Sequence, residues 1–564
     1  MARHLYTVFI IIPSLFVAWI IYYGATTHSV ALKDFFFFDS LALALISFVF
    51  ARASAPATPR RRYFYGGAAV LVLLAFVKWQ RYAELLVFFH LQENAIAAWI
   101  RYPSVLLITV GLVIFLGFPA YFKKNGTQIV VKRGPIIRPL RLEESEKEIV
   151  VGHFQPNILP PDVREFASAE PGEKISLPAK LLTRGISILG DPGSGKSRLM
   201  RLLHDEMRRL YPNIPILIHD PKGEWLRTYY DPATDLIFAP YDKRTVNWDI
   251  FAEIKQRPQL LSSIVTTAVN QHHGAGGGEN LYWVNSAAAI IQEQLETSGD
   301  LLSFRDGLLK WRENHKDEKT ALSAYSSARP AIKDIATIAL ADGLGGKRSM
   351  DQFLNHRGRI FLLNSPLQAA EQSGAFAIFI SAFVLSCLSM PDSPGPRACA
   401  IIDEALTFHL PAAIEEAVTA QSRSKGLVMI AGAQWLPKDE RRLLTRAEFI
   451  FGMRVGDLAT AKRLSELIGN TIYDEETTST TSGRSTGKGG GGTHDSESVS
   501  KQERRREIMP PEAFRSLPQR GFVLLHHAGI APGRTAAVEG EQRDDIAAFE
   551  YQPQPLVSEY MKVL

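Results

Sequence analysis

Cysteine is almost missing from this chain. The 564 residues hold two, Cys387 and Cys399, each inside an apolar run and neither at metal-ligand spacing. That argues against a disulfide framework or a zinc module and predicts two buried, reduced thiols in a cytosolic domain. A strong net charge is missing too: 63 Lys and Arg against 58 Asp and Glu leave +5. Part of that excess flanks apolar segments, where lipid head groups lie, so charge by itself does not establish a nucleic-acid partner. No compact set of Lys, Arg and aromatic residues marks a strand-tracking pore. No small-residue cleavage site follows the first apolar run, which speaks against a cleaved signal peptide. A large C-terminal specificity domain and an acidic tail are not evident either.

What is present in full is a phosphate loop. Gly190-Asp191-Pro192-Gly193-Ser194-Gly195-Lys196-Ser197 satisfies G-x-x-x-x-G-K-[ST] at every fixed position, with Arg198 directly after it. The buried-strand run Ile186 to Leu189 precedes it, and Leu199, Leu203, Met207 and Leu210 follow at helical spacing. In such a loop, converging backbone N–H groups and the positive helix end hold phosphate oxygens. Lys196 would neutralise the β and γ phosphates and the Ser197 hydroxyl would ligate Mg²⁺, so ATP and Mg²⁺ are the expected ligands.

Residues 1–122 are apolar in blocks. Leu5 to Tyr23 and Tyr102 to Phe122 are each long enough for a hydrocarbon core of about 30 Å. Phe35 to Phe50 and Tyr63 to Val77 are shorter, so the region holds four spans or two. Arg3, Arg52, Arg60 to Arg62, Lys123 and Lys124 flank the inner ends and place the bulk of the chain in the cytoplasm. Residues 123–183 read as a stalk and entry, 184–246 as the first part of a nucleotide-binding domain, and 247–355 as an inserted all-helical subdomain. Residues 356–540 are its second part, with a mobile loop or ragged hairpin at 474–507, and 541–564 form a C-terminal tail that either docks or stays loose. His272 and His273 near Glu279 read as a solvated loop without fixed ligand geometry.

The α/β pattern continues downstream. Ala398 to Ile402 is an apolar strand ending in Asp403 and Glu404. An ATP hydrolase needs one acid for the Mg²⁺ shell and one to orient or deprotonate water, roles that fit Asp403 and Glu404. The next buried strand, Leu427 to Ala433, delivers Gln434 to the same edge, where an amide senses the γ phosphate or holds the water. Arg423 on the preceding helix and Arg454 after the following strand are candidate fingers acting across a subunit boundary. Asp220 and Glu224, in Asp-Pro-Lys-Gly-Glu, either face this site or cap a turn.

The phosphate loop, the Asp-Pro-Lys-Gly-Glu turn, Pro240 to Thr245 with Trp248 and Phe251, Leu388 to Pro391, the Ile-Ile-Asp-Glu strand and Gln434 together resemble the type IV secretion coupling proteins. The pattern is most similar to the TraD/TraG conjugative ATPases, over roughly residues 150–540. The resemblance implies an α/β, RecA-like P-loop ATPase domain with an inserted helical subdomain and an N-terminal transmembrane region in the bacterial inner membrane. It further implies a homo-hexamer that hydrolyses ATP when DNA is present and hands single-stranded DNA with its relaxase to components of a type IV secretion channel. Family members continue after the glutamine with Ser-Thr-x-Gln-Leu, whereas Gln434 is followed by Trp-Leu-Pro-Lys-Asp439. Two other readings remain: a coupling ATPase for protein effectors, and a membrane-anchored nucleotide-binding scaffold.

Overall fold

The computed structural model describes residues 128–139, 147–273, 279–341, 343–364, 369–437, 441–485, 492–527, 529–536 and 542–564. The apolar blocks of residues 1–122 lie outside the described residues. Among those that are described, one segment is long and apolar enough to cross a membrane, Glu371–Leu388, and it is 89% buried inside the protein, as a core helix is.

The chain divides into a smaller unit, residues 1–129 with 475–502, and a larger one, residues 130–474 with 503–564. The stretch 474–507 is extended rather than irregular over most of its length, in strands Asn470–Ser485 and Gly492–Glu507. Thr477, Thr478, Thr480 and Thr481 are β-branched, and they favour pleated backbone even where apolar content is low.

In the larger unit eleven strands form one sheet among the described residues. They are β1 (Glu148–Phe154), β2 (Lys174–Pro178), β3 (Ile186–Leu189), β4 (Ile216–Asp220), β5 (Leu236–Ile237) and β6 (Arg359–Leu363). Then come β7 (Ala398–Ile402), β8 (Leu427–Ala433), β9 (Phe449–Gly452), β10 (Gly521–His526) and β11 (Gly529–Arg534). Their order across the sheet is β2-β1-β11-β10-β9-β3-β8-β7-β4-β6-β5. From β9 to β5 neighbours run parallel, and the four strands beyond β9 extend the sheet antiparallel.

β3, β4, β7 and β8 are buried at every position. Their near-continuous apolar sequences are what parallel strands covered on both faces require. Register then decides what meets at the edge: Ala433 pairs with Leu189, Ile402 with Ala431 and His219, and Asp220 with Leu363. Gly190, Gln434, Asp403 and Asn364 therefore leave four different strands at the same carboxyl edge.

Helix α1 (Lys196–Leu210) follows the phosphate loop and buries Leu199, Leu203 and Met207. Helix α2 (Glu224–Tyr229) follows β4. Between β5 and β6 run α3 (Ile250–Gln256), α4 (Leu261–His273), α5 (Glu279–Thr297), α6 (Leu301–Asn314), α7 (Lys319–Ala339) and α8 (Met350–Leu354). This insertion is not wholly helical: Val246–Trp248 pairs in parallel with Leu344–Arg348. β5 and β6 are neighbours, so the outgoing and returning chains pass close together, and pairing them satisfies backbone groups that would otherwise be buried open. His272 and His273 form the last turn of α4 rather than a solvated loop. His272 Nε2 lies 2.6 Å from Asp334 Oδ2 on α7, and His273 Nε2 lies 2.9 Å from the Ser327 carbonyl.

Helix α9 (Ala369–Leu388) follows β6, and α10 (Ala412–Lys425), α11 (Arg442–Thr445), α12 (Leu458–Ile468) and α13 (Pro511–Arg515) follow in turn. Cys387 and Cys399 are free and buried, and burial pushes the Cys387 thiol up to about 11.

The C-terminal tail docks. Arg543 N donates to the Arg227 carbonyl at 3.0 Å, Lys243 N to Glu550 O at 2.9 Å and Gln552 N to Tyr241 O at 2.8 Å. Helix α14 (Pro555–Val563) ends against the insertion, where Arg329 donates to the Met561 carbonyl at 2.9 Å. Asp242, fully buried, anchors this strap: it accepts from the Arg244 guanidinium at 2.7 Å and from Glu550 N at 2.8 Å. Asp242→Ala leaves the Arg244 guanidinium, 14% exposed, without its buried partner. The expected loss is about 3 to 5 kcal/mol in urea unfolding, with faster proteolysis of the tail.

Candidate functional site

The phosphate loop is braced by backbone before any side chain is considered. Gly190 N donates to the Ala433 carbonyl at 3.0 Å, and Asp191 N to the Arg454 carbonyl at 2.9 Å. Gly193 and Gly195 adopt φ of 77° and 109°, a conformation that turns the loop into α1 and that L side chains avoid. Asp191 Oδ2 accepts from Gly456 N at 2.5 Å. Pro192 and Gly193 are exposed, Ser194 is buried, and Ser197 and Arg198 are half-buried on the first turn of the helix.

At the centre Lys196 Nζ donates to Asp403 Oδ1 at 2.7 Å, and the Ser197 hydroxyl donates to Asp403 Oδ2 at 3.3 Å. Lys196 and Asp403 are each 7% exposed. One step further along the chain, Gln434 Nε2 donates to Glu404 Oε1 at 3.1 Å. Glu404 stands at φ 60° and ψ 53°, left-handed geometry for a side-chain-bearing residue. Such geometry costs about 1 to 2 kcal/mol and persists where the surroundings over-determine it. Its carboxylate makes no capping bond to the turn that follows. A cation, a hydroxyl, two carboxylates and an amide thus come together from the ends of β3, β7 and β8, while Ser194 Oγ is buried with no partner. These groups fit a magnesium nucleotide: Lys196 and N–H groups for phosphate oxygens, Ser197 and Asp403 for the metal.

The arginines separate. Arg454 lies on the loop of its own chain, its Nη2 3.9 Å from where a Cβ on Gly193 would stand. Arg423 is exposed on α10, away from this cluster. Asp220 caps its own turn, accepting from Leu226 N at 2.8 Å and Glu224 N at 3.1 Å, and Glu224 pairs with Arg201 of α1 at 3.3 Å. Burial pushes the Asp220 carboxyl up to about 6.

Two residues of the site escaped sequence reasoning. Arg520, with Glu404, is one of the described non-glycine residues at positive φ, and its N donates to the Ser194 carbonyl at 2.8 Å. His219 Nδ1 lies 2.5 Å from the Asp403 carbonyl. Nothing in the local sequence around either marks it, since both act through pairing decided by strand order.

A second polar cluster sits at the opposite edge of the sheet. Glu448 Oε1 takes His527 Nδ1 at 2.5 Å, His526 Nε2 at 2.9 Å and Arg184 at 3.3 Å. The Arg184 guanidinium and His527 Nδ1 hydrogen-bond this oxygen and His526 Nε2 lies beside it, so the cluster acts as a brace between β3, β9 and β10. Burial brings His526 down to about 4.

Two family models match the chain. One describes the type IV secretion-system coupling protein DNA-binding domain and covers residues 172–301. The other describes the TraM recognition site of TraD and TraG and covers residues 397–519. The coupling protein TraD of Escherichia coli strain K12 is 24% identical over 277 residues, covering 43% of this chain and 37% of that relative's length. Among solved structures, the bacterial conjugative coupling protein TrwBdeltaN70 with sulphate has a TM-score of 0.55 at 18% identity, covering 75% of this chain and 97% of that one. The plasmid coupling protein TrwB with ADP and Mg²⁺ has a TM-score of 0.51 at 19% identity, covering 67% and 90%. The described sheet and helices are a TrwB-like α/β ATPase fold.

Two outcomes test this geometry. A Cβ on Gly190 would stand 2.6 Å from Ser194 Oγ and 2.9 Å from Met453 Cβ. Gly190→Ala should therefore weaken binding of a fluorescent ATP analogue by about tenfold or more, roughly 1.4 kcal/mol. The folded Asp220 holds its proton up to about pH 6, above the ordinary carboxylate range, so its contribution to stability is largest below that range and declines as pH rises through about 6. Asp220→Asn should remove this decline, and its stability relative to the parent should improve between pH 4 and pH 7 in urea unfolding.

Proposed function

We propose that this chain, a type IV secretion-system coupling protein, hydrolyses ATP to recruit single-stranded DNA with its bound relaxase and drive it toward a secretion channel. In this reading it works at the bacterial inner membrane, anchored by spans within residues 1–122, with its ATPase domain in the cytoplasm and its subunits assembled as a homo-hexamer. The observation that carries the reading is the buried Lys196–Asp403 pair beside Ser197, with Glu404 held by Gln434 one position further on. The structures of TrwB with ADP and Mg²⁺, with a GTP analogue and with an ATP analogue support a nucleotide at this site.

Each residue has a role that its position makes possible. The loop N–H groups from Gly190 to Ser197 and Lys196 bind the phosphates, and Lys196 leaves Asp403 to do so. Ser197 and Asp403 hold Mg²⁺, which when bound neutralises phosphate charge. Glu404 orients and deprotonates the attacking water, and Gln434 fixes the direction of that carboxylate. Arg454 balances charge from within the same subunit. Arg423, exposed on α10, is free to serve a neighbouring one. The insertion at 247–355 and the sheet segments at 184–246 and 356–540 form one motor, to which the tail at 541–564 is strapped.

Three measurements on the full chain in detergent test this. Lys196→Ala should lose nucleotide binding and turnover. Glu404→Gln should keep binding and lose turnover by about a hundredfold or more. Single-stranded DNA should stimulate turnover, with the stimulation fading as salt rises. Turnover indifferent to DNA would favour protein cargo, and binding without turnover in the parent chain would favour a scaffold.

A further inference from the structure

The Asp403 carbonyl lies where β7 has just ended: Ile402 is the last residue of that strand in register with β4, where it pairs with His219. In place of a further ladder bond, the carbonyl meets the His219 ring, Nδ1 at 2.5 Å. A carbonyl only accepts, so the proton sits on Nδ1 and the tautomer is fixed. The ring is wholly buried and packs edge-on against Phe408 at 4.6 Å between centroids. Burial, the largest influence on it, holds the ring below the usual histidine range and hence neutral. Its other side meets the side chain of neighbouring Asn364 at the end of β6, with which it shares a hydrogen bond.

The peptide that His219 grips joins Asp403 to Glu404. Its orientation sets two things at once: the direction in which Asp403 presents its carboxylate to Lys196 and Ser197, and the left-handed turn that brings Glu404 to Gln434. A left-handed glutamate persists only while its neighbours hold the backbone there. The Asp403 carbonyl is the atom through which a neighbouring strand can do so.

We propose that His219 is a positioning residue for hydrolysis, its Nδ1–H holding the Asp403–Glu404 peptide so that the two carboxylates keep their separate directions. This rests on the ATPase reading above. It predicts an unusual ordering of variants. His219→Phe keeps an aromatic ring against Phe408 and removes the donor. His219→Asn loses the ring but places an amide N–H near the position of Nδ1. Stability, measured by thermal unfolding of the full chain, should follow burial, with Phe above Asn. Activity should run the other way.

The experiment is steady-state ATP turnover of the parent, His219→Phe, His219→Asn and Lys196→Ala chains, with binding of a fluorescent ATP analogue measured alongside. His219→Phe should lower kcat about tenfold, the scale of one lost hydrogen bond in the transition state, with KM and analogue binding within twofold of the parent. His219→Asn should recover most of that kcat despite lower thermal stability. If activity instead tracks stability, with His219→Phe at or above His219→Asn, or if His219→Phe turns over like the parent, the positioning role is overturned while the site stands. A parent chain that does not turn over, or a Lys196→Ala chain that turns over normally, overturns the ATPase reading and the inference with it.

Discussion

A buried pair of opposite charges lies at the centre of this molecule. Lys196 and Asp403 come from strands that are not neighbours: β8 runs between β3 and β7. Nζ reaches Oδ1 at 2.7 Å across that strand. Gly432 lies at the crossing: a Cβ there would be in ordinary contact with Asp403 Oδ1 and Lys196 Cδ, at 3.4 Å from each, but only 2.2 Å from Met200 Cε, so the glycine makes room for the Met200 side chain. A buried ion pair is poor evidence of stability, because desolvation consumes most of its Coulombic gain. Its value here is that each partner is held in place, desolvated and of the sign a magnesium nucleotide needs.

The antiparallel half of the sheet extends the fold and also braces the loop. The turn entering β10 sends Arg520 N to the Ser194 carbonyl, and Thr535 N, just past β11, returns to the Arg520 carbonyl at 3.0 Å. Met453, after β9, sits against Gly190. The phosphate loop is thus gripped on its outer side by strands that contribute nothing to its motif. The tail does comparable work elsewhere, tying the turn at Tyr241 to Arg244 to the helices of the insertion through Asp242, Glu550 and Met561.

How much of this was legible beforehand follows the range of the physics involved. The loop, the strand ending in Asp403 and Glu404, and the glutamine after the next strand were readable because each is a local pattern: an apolar run, a turn, a polar terminus. The helical insertion was readable from periodicity, but its two-stranded base was not, since Val246 and Leu344 are far apart in sequence and short pairing leaves little local trace. At 474–507 low apolar content left a mobile loop and a hairpin both open, and the strands are what the structure shows. The α4 histidines looked like loop residues because their partners on α7, Asp334 for His272 and the Ser327 carbonyl for His273, are 62 and 54 positions away.

The sequence by itself determined which chemistry is available: glycines that permit the loop, a lysine and a serine at its end, acids and an amide at the ends of apolar strands. Those are covalent facts, and periodicity turns them into elements without knowledge of neighbours. Strand order decided the rest. Only the packed sheet brings Asp403 over Gly432 to Lys196, sets Arg454 on its own phosphate loop and leaves Arg423 outside, and puts His219 under the carbonyl of Asp403. The physical reason is that a parallel ladder aligns residues by register across strands, and no window of sequence contains that alignment.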